Sequence, residues 1–316
     1  MDMTEIKNQD IRTLKCLVEK TTRGVVKEVG TPGSGILRVY IQGNFEERQG
    51  KTLFLTCHDI GANHRSFYPF LQHHSMQEVR NRSVFLHVCL PGQDDNEPNL
   101  PDNFVFPTLD QIGQDLVCVL DELGVKTVIG LGEGAGANIM CRFALRMIQW
   151  KLGSNMNQAA WEYLIDHRFG PGLDDKQSYI KLLQERLNSV NLSKYMASFL
   201  HRTDLSAELA DKLKVDALLV VGSRASMSQT VYSMHQAMSK VNTTLLVVDD
   251  VADVFAEAPL KVSRALILFC KGCGVLSGVS IPGMERQRTL SSSMEEADTP
   301  RKLSLTRPPP SHMEKV

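Results

Sequence analysis

The sequence lacks the features that would assign it to several specialised classes of protein. No apolar run approaches the roughly 18 residues that a membrane-spanning helix requires. The formal net charge is -1, and no basic stripe interleaved with aromatic residues occurs, which argues against nucleic-acid binding. Residues 1–10 are polar and carry no apolar stretch of a secretory signal. With 42% hydrophobic and 22% charged residues, the 316-residue chain is expected to be a cytoplasmic globular protein.

The cysteines do not indicate a disulfide framework. The seven cysteines form an odd set, spread mostly through apolar segments, which predicts reduced thiols. Cys270 and Cys273 have the C-x-x-C spacing, but this pair closes a predicted helix, whereas a thioredoxin-type pair opens one. No second pair supplies the remaining ligands of a structural zinc site. We therefore expect no redox function, no metal site and no cofactor.

Short apolar segments alternate with helical patterns, which predicts a mostly parallel α/β sheet covered by helices. Thr108, with Gln111 three positions later, predicts a capping box at the start of a helix that ends at Gly124. Between residues 150 and 213 the pattern is helical and predicts a cap. The predicted strands cover residues 25–30, 35–42, 52–57, 83–90, 126–131, 216–222 and 243–249.

The ends of the chain differ in composition from its middle. We predict an N-terminal segment over residues 1–17 and an α/β-hydrolase-like domain over residues 18–275. Residues 276–316 are rich in serine, arginine and proline. Such a segment cannot bury enough apolar surface to offset its ordering entropy, which predicts a disordered tail.

A glycine-rich loop, residues 130–138, follows an apolar strand and precedes a helix. One interpretation is a dinucleotide-binding loop, since the spacing fits G-x-G-x-x-G/A. That fingerprint normally lies on the first βα unit and is followed by an acidic residue about 20 positions later, after a second strand. Here the loop follows about the fifth strand, and the next acidic residue, Glu162, lies in a helical region. Glu133 would also place a carboxylate beside the pyrophosphate, so this interpretation is disfavoured.

The second interpretation is the strand–turn–helix elbow that carries the nucleophile of α/β-hydrolases, with the pattern small-x-nucleophile-x-small. Gly132 and Gly136 supply the small frame, but the central position is Gly134, which has no side chain. Residues 223–228, in the loop expected to carry the catalytic acid, contain no Asp or Glu. Residues 250–259, expected to carry the catalytic base, contain no His. The elbow pattern without these groups predicts a non-catalytic protein.

An alternative is a displaced site. His58, Asp59 and Gly61 follow an early strand, where hydrolases carry an oxyanion segment. Together with Glu133 they could form a hydrolytic site, or a site that binds a lipid or small molecule. A simpler interpretation is that His58 and Asp59 bond the loop backbone and hold the turn.

Three segments carry a family resemblance: residues 56–64 (TCHDIGANH), residues 91–93 (PGQ) and the glycine loop at residues 130–138. Together they resemble the N-myc downstream-regulated (NDRG) family, most closely an insect-type member, over about residues 18–274 and again in the tail. The resemblance implies an α/β-hydrolase-like fold without catalytic machinery and a cytoplasmic role in signalling or stress response. It also implies protein partners and a basophilic kinase, and it leaves peripheral membrane or vesicle association open. Gly134 matches the family's vacant nucleophile position.

In the tail, Arg286-x-Arg288-x-x-Ser291 matches the family's basophilic kinase site, and residues 301–304 carry a weaker one. Ser291, Ser304 and Thr289 are the candidate phosphorylation sites, where a phosphate would add about -1.5 to -2 charge. The region of residues 161–163 in the cap is a candidate partner surface.

The chain departs from the family pattern between Met147 and Trp150, where members carry a further strand beside the elbow strand. This departure suggests a shortened form. The strand at residues 216–222 would then either take the empty place or leave the elbow strand as an exposed edge, which favours aggregation.

Overall fold

The computed structural model describes residues 25–145, 164, 176–211, 213 and 215–284. By its contacts the chain divides into two units, Met1–Pro282 and Gly283–Val316, and the strands and helices of the described residues belong to the first. The strands are β1 Val25–Thr31, β2 Gly35–Gln42, β3 Thr52–Cys57, β4 Ser83–Cys89, β5 Ile129–Gly132, β6 Ala217–Gly222 and β7 Thr243–Val248. The helices are α1 Tyr68–Gln72, α2 Gln77–Asn81, α3 Leu109–Glu122, α4 Ala135–Leu145, α5 Lys176–Arg186, α6 Ser189–Leu200, α7 Ser206–Asp211, α8 Ser228–Ala237, α9 Val254–Glu257 and α10 Pro259–Gly272.

The main sheet has five strands in the order β1-β2-β4-β3-β5. The first pairings, β1 with β2 and β2 with β4, are antiparallel. The pairings of β3 with β4 and of β3 with β5 are parallel. Because the carboxyl ends of parallel strands meet at one edge, the loops after β3, β4 and β5 lie together.

The central strands β3 and β4 are buried on both faces, as their continuous apolar sequences predict, whereas β1 is mostly exposed. All seven residues of β4 are buried. Phe54 and Phe85 point to one face, where they pack with residues of α1 and α10. Leu55 and Leu86 point to the other face and pack with α3, α4 and the cap helices. The predicted α/β fold with helices on both sides of a sheet is confirmed.

Helix α3 begins at the predicted capping box. The Thr108 hydroxyl accepts a hydrogen bond from the Gln111 N–H (3.2 Å), and the Gln111 side chain accepts one from the Thr108 N–H (2.9 Å). A buried ion pair then joins α3 to α4, since the Arg142 guanidinium donates to the Asp110 carboxylate. Arg142 also donates to Thr203 at the end of the cap, which ties three elements together.

Strands β6 and β7 form a separate parallel pair. Among the described residues β5 pairs with β3 alone, and no described strand lies between β5 and β6. Of the two arrangements left open by the sequence, the described residues match the second, in which no described strand takes the place beside the elbow strand. The β6–β7 pair still joins the core, because Leu219 packs in a cluster with Cys141 and Leu145 of α4.

Helices α5, α6 and α7 lie within the predicted cap. The cap residues 161–163 proposed as a partner surface lie outside the described residues. At the other end of the domain, Leu276 and Val279 are buried against the cluster that contains Phe54, so packing continues beyond the predicted domain end at residue 275. In the part of the chain that the structure describes, no helix has the length and apolarity to cross a membrane.

Candidate functional site

The glycine loop forms a tight elbow between β5 and α4. Gly134 has φ +52°, in the left-handed region that favours glycine. A Cβ at Gly132 would overlap the backbone of Ala137, and a Cβ at Gly136 would overlap the carbonyl group of Cys57. The turn therefore excludes side chains at both frame positions, as the nucleophile elbow requires.

The space beside Gly134 is filled by the carboxylate of Asp59. A Cβ at Gly134 would lie closer than 3.0 Å to the carboxylate atoms, a distance that real Cβ contacts essentially never show. Asp59 Oδ1 accepts hydrogen bonds from the N–H groups of Ile60 and Ala135, both at 2.7 Å. In α/β-hydrolases the N–H of the residue after the nucleophile and an N–H of the loop after β3 form the oxyanion hole. The corresponding donors of this chain are already bound by its own carboxylate.

His58 is engaged on both ring nitrogens and is fully buried. Its Nδ1–H donates to the carbonyl oxygen of Asp59 (2.8 Å), and its Nε2 accepts from the N–H of Leu90 (3.2 Å). The Tyr195 ring of α6 packs edge-to-face against the His58 ring, and the Tyr195 hydroxyl donates a hydrogen bond to the His58 carbonyl oxygen (3.1 Å). Burial lowers the pKa of His58 to about 4. At neutral pH the ring is therefore uncharged, and its two nitrogens link the backbone of the loop after β3 to the backbone of the loop after β4.

The loops that would carry the acid and the base have structural contacts of their own. Ser223, after β6, accepts a hydrogen bond from the N–H of Asp250 (2.9 Å). Asp253, after β7, caps helix α9 by accepting from the N–H groups of Phe255 and Ala256. No histidine stands in residues 249–259, so the described loops bring no imidazole to the elbow.

A cavity of about 1160 Å³ lies between the edge of β5 and β6. Its walls are largely apolar and include Leu131 and Leu219, while Asp59, Glu133 and Gly134 lie at its edge.

The structure brings the predicted residues Asp59, Glu133 and Gly134 together at this edge, and His58 lies beneath them. Gly61, with φ +73°, turns the loop after β3 and faces Leu164. The tail residues Ser291, Ser304 and Thr289 lie outside the described residues.

Sequence reasoning missed the cap contact of Tyr195 and the ion pair of Arg142, because no local pattern marks either. It also missed the place of the Asp59 carboxylate. No local pattern marks that place, because Asp59 and Ala135 lie 76 positions apart in the sequence.

Comparisons with known proteins identify related sequences. A family model described as the Ndr family matches residues 27–153 and 147–277. The two matches overlap at residues 147–153. A protein of Caenorhabditis elegans, ZK1073.1, is 53% identical and covers 87% of this chain and 93% of its own length. NDRG3 of Xenopus laevis is 29% identical, with 86% of this chain and 82% of its own length covered.

Solved structures with the same fold are α/β-hydrolases. A thermophilic esterase of Thermogutta terrifontis matches with TM-score 0.54 at 15% identity, covering 78% of this chain and 98% of its own. The N-acyl homoserine lactonase AidH matches with TM-score 0.58 at 13% identity, covering 80% and 98%. At such identities the likeness shows the fold alone.

Proposed function

Because the chain belongs to the Ndr family, we propose that it is a hydrolase-fold protein that performs no hydrolysis and acts by binding protein partners in cytoplasmic signal transduction or stress response. The observation that carries the proposal is the Asp59 carboxylate in the oxyanion hole, beside a glycine that has no room for a nucleophile. A negative charge there repels the oxyanion that acyl transfer would form, and it occupies the donors that would stabilise it.

His58 gives no support to a displaced hydrolytic site. A general base needs a free nitrogen within reach of a substrate proton. Both ring nitrogens of His58 bond to backbone groups, and the ring is 0% exposed. Asp59 is 4% exposed and bonds two N–H groups. These two residues therefore support the loop rather than a reaction.

Turnover of activated esters tests the proposal. We expect the purified full chain to hydrolyse p-nitrophenyl acetate and butyrate at the buffer rate, and Gly134→Ser to restore no activity. The proposal would be overturned by saturable turnover in the parent chain that His58→Gln or Asp59→Asn removes. An active esterase of the same fold, assayed in parallel, shows that the assay detects catalysis.

Phosphorylation of the tail is the second part of the proposal. We expect a basophilic kinase to modify Ser291 first and Ser304 more weakly, which mass spectrometry of the full chain would map. Ser291→Ala should remove the main site. Partner capture should then differ between phosphorylated chain, unphosphorylated chain and a chain truncated after residue 284. Identical partners in all three would refute a role of the tail.

The cavity favours a second candidate, the binding of a small apolar molecule without reaction. Its volume of about 1160 Å³ slightly exceeds the upper range of ordinary ligand pockets. Medium-chain fatty acids are suitable probes, and binding would raise the melting temperature in proportion to the logarithm of ligand concentration. Leu219→Trp, which narrows the cavity, should reduce the shift. No shift in the parent chain would remove this candidate.

A further inference from the structure

We propose that His64, Cys89 and Asp94 form a binding site for a single divalent metal ion, with Zn²⁺ as the ion that fits best. One ligand atom of each residue lies within 4.8 Å of the other two. This site is separate from the elbow and from the C-x-x-C pair, and the sequence did not indicate it because the three residues carry no metal-ligand spacing.

The topology brings the three residues together. His64 lies in the loop after β3, Cys89 is the last residue of β4, and Asp94 lies in the loop that follows. Strands β3 and β4 pair in parallel, so their carboxyl ends open on the same edge of the sheet. His64 and Cys89 are each 3% exposed, whereas the Asp94 side chain is 15% exposed and leaves access from solvent.

His64 provides the observation that points to a ligand. Its Nδ1 is buried and has no hydrogen-bond partner among the described residues, although it lies 3.4 Å from Asp94 Oδ1. A buried polar atom without a partner has lost its hydrogen bonds to water, and a metal ion between the two groups would supply the missing interaction.

Neighbouring groups hold the ligands in place. The Tyr40 ring stacks on His64 with centroids 3.4 Å apart and planes within 4°, which fixes the imidazole. The Tyr40 hydroxyl donates to Asp94 Oδ2, and the N–H of Asp95 donates to Asp94 Oδ1 (2.9 Å). Such hydrogen bonds to the ligands are typical of metal sites.

The donor set and its dimensions fit zinc. Sulfur, imidazole nitrogen and carboxylate oxygen are the zinc ligands of proteins, at ~2.3, ~2.0 and ~2.0 Å. A tetrahedron with those bonds places its ligand atoms about 3.3–3.5 Å apart, and the His64–Asp94 separation of 3.4 Å falls within that range. No two of the ligand atoms lie more than 4.8 Å apart, so the widest pair must close by at most about 1.3 Å, and a water molecule would complete the coordination. A thiolate and a carboxylate together balance the charge of a divalent ion.

Metal titration of the chelator-stripped full chain tests the site. We expect one Zn²⁺ per chain by competition with a chromophoric chelator, and a thiolate-to-metal charge-transfer band in the near ultraviolet when Co²⁺ is added. Cys89→Ser should remove that band. Asp94→Asn should keep the charge-transfer band but weaken Zn²⁺ affinity by about 10-fold or more. Tyr40→Phe keeps the ring on His64 and removes only the hydroxyl that donates to Asp94, and it should weaken Zn²⁺ affinity by about 10-fold.

Two controls separate this site from other thiols. The double variant Cys270→Ser, Cys273→Ser removes the C-x-x-C pair, and Cys118→Ser removes another free cysteine. Both should bind Zn²⁺ as the parent does. The proposal is overturned if the parent binds no stoichiometric Zn²⁺, or if binding depends on the C-x-x-C pair and survives in Asp94→Asn unchanged. Far-ultraviolet circular dichroism of each metal-free variant verifies folding, and Asp94→Asn decides the result if Cys89→Ser does not fold.

Discussion

The Asp59 carboxylate and the vacant position at Gly134 should be coupled energetically, and a double-mutant cycle measures this. The variants are Gly134→Ala, Asp59→Ala and the two together. A Cβ at Gly134 meets the Asp59 carboxylate and must displace it. Displacement breaks the two hydrogen bonds to Ile60 and Ala135.

The magnitude follows from two contributions. A non-glycine residue in the left-handed region costs about 1–2 kcal/mol. Each hydrogen bond to a charged group contributes about 1.5–3 kcal/mol, so the loss of two costs about 3–6 kcal/mol. Gly134→Ala should therefore destabilise the chain by about 4–8 kcal/mol, and Asp59→Ala by about 3–6 kcal/mol. In the double variant the hydrogen bonds are lost only once, which gives a coupling energy of about 3–6 kcal/mol.

Gly124→Ala is the matched control. Gly124 has φ +59°, close to that of Gly134, but a Cβ there would meet only Arg48 at 4.0 Å. Gly124→Ala should lower the free energy of unfolding by about 1–2 kcal/mol, whether or not Asp59→Ala is also present.

Urea unfolding followed by far-ultraviolet circular dichroism gives the free energies of unfolding. A coupling energy between Gly134→Ala and Asp59→Ala below about 0.5 kcal/mol would refute the reasoning, because independent sites add within that margin. A cost for Gly134→Ala no larger than that for Gly124→Ala would show that the carboxylate does not occupy the space.

Three further outcomes follow from the structure. Since burial lowers the pKa of His58 to about 4, stability present above pH 6.5 is lost as pH falls toward 4, and His58→Gln should reduce this slope by up to about 1.4 kcal/mol per pH unit. Arg142→Met leaves Asp110 buried without its cation and should cost about 3–5 kcal/mol, which adding Asp110→Leu recovers in part. Thr108→Ala should cost about 1 kcal/mol and Thr108→Ser far less.

Urea unfolding at several pH values checks the first of these outcomes and unfolding at pH 7 the other two. An unchanged pH slope in His58→Gln, a cost below about 1 kcal/mol for Arg142→Met, or equal costs for the two Thr108 variants would each contradict the corresponding contact.

The fold was predictable where patterns within a few residues of sequence determine the secondary structure. Continuous apolar segments indicated strands buried on both faces, and β2, β3 and the helix from Leu109 begin where the pattern placed them. Thr108 and Gln111 marked a capping box that the structure contains.

The site was predictable only in part. The glycines at positions 132, 134 and 136 showed that the elbow carries no nucleophile, since their spacing alone defines it. The destination of the Asp59 carboxylate depends on how the loop after β3 meets the loop after β5, 76 positions apart in the chain. The grouping of His64, Cys89 and Asp94 depends in the same way on the parallel pairing of β3 with β4.

The sequence by itself determined the strands and helices, the small residues of the elbow and the lack of an imidazole in the loop where a hydrolase has its base. These properties follow from periodicity and residue type, which act within a few positions of the chain. Tertiary structure alone decided that Asp59 binds the N–H groups of Ile60 and Ala135, that β5 pairs with β3 alone among the described strands and that a cavity lies between β5 and β6. Each depends on contacts between distant segments, whose free energies no local pattern contains.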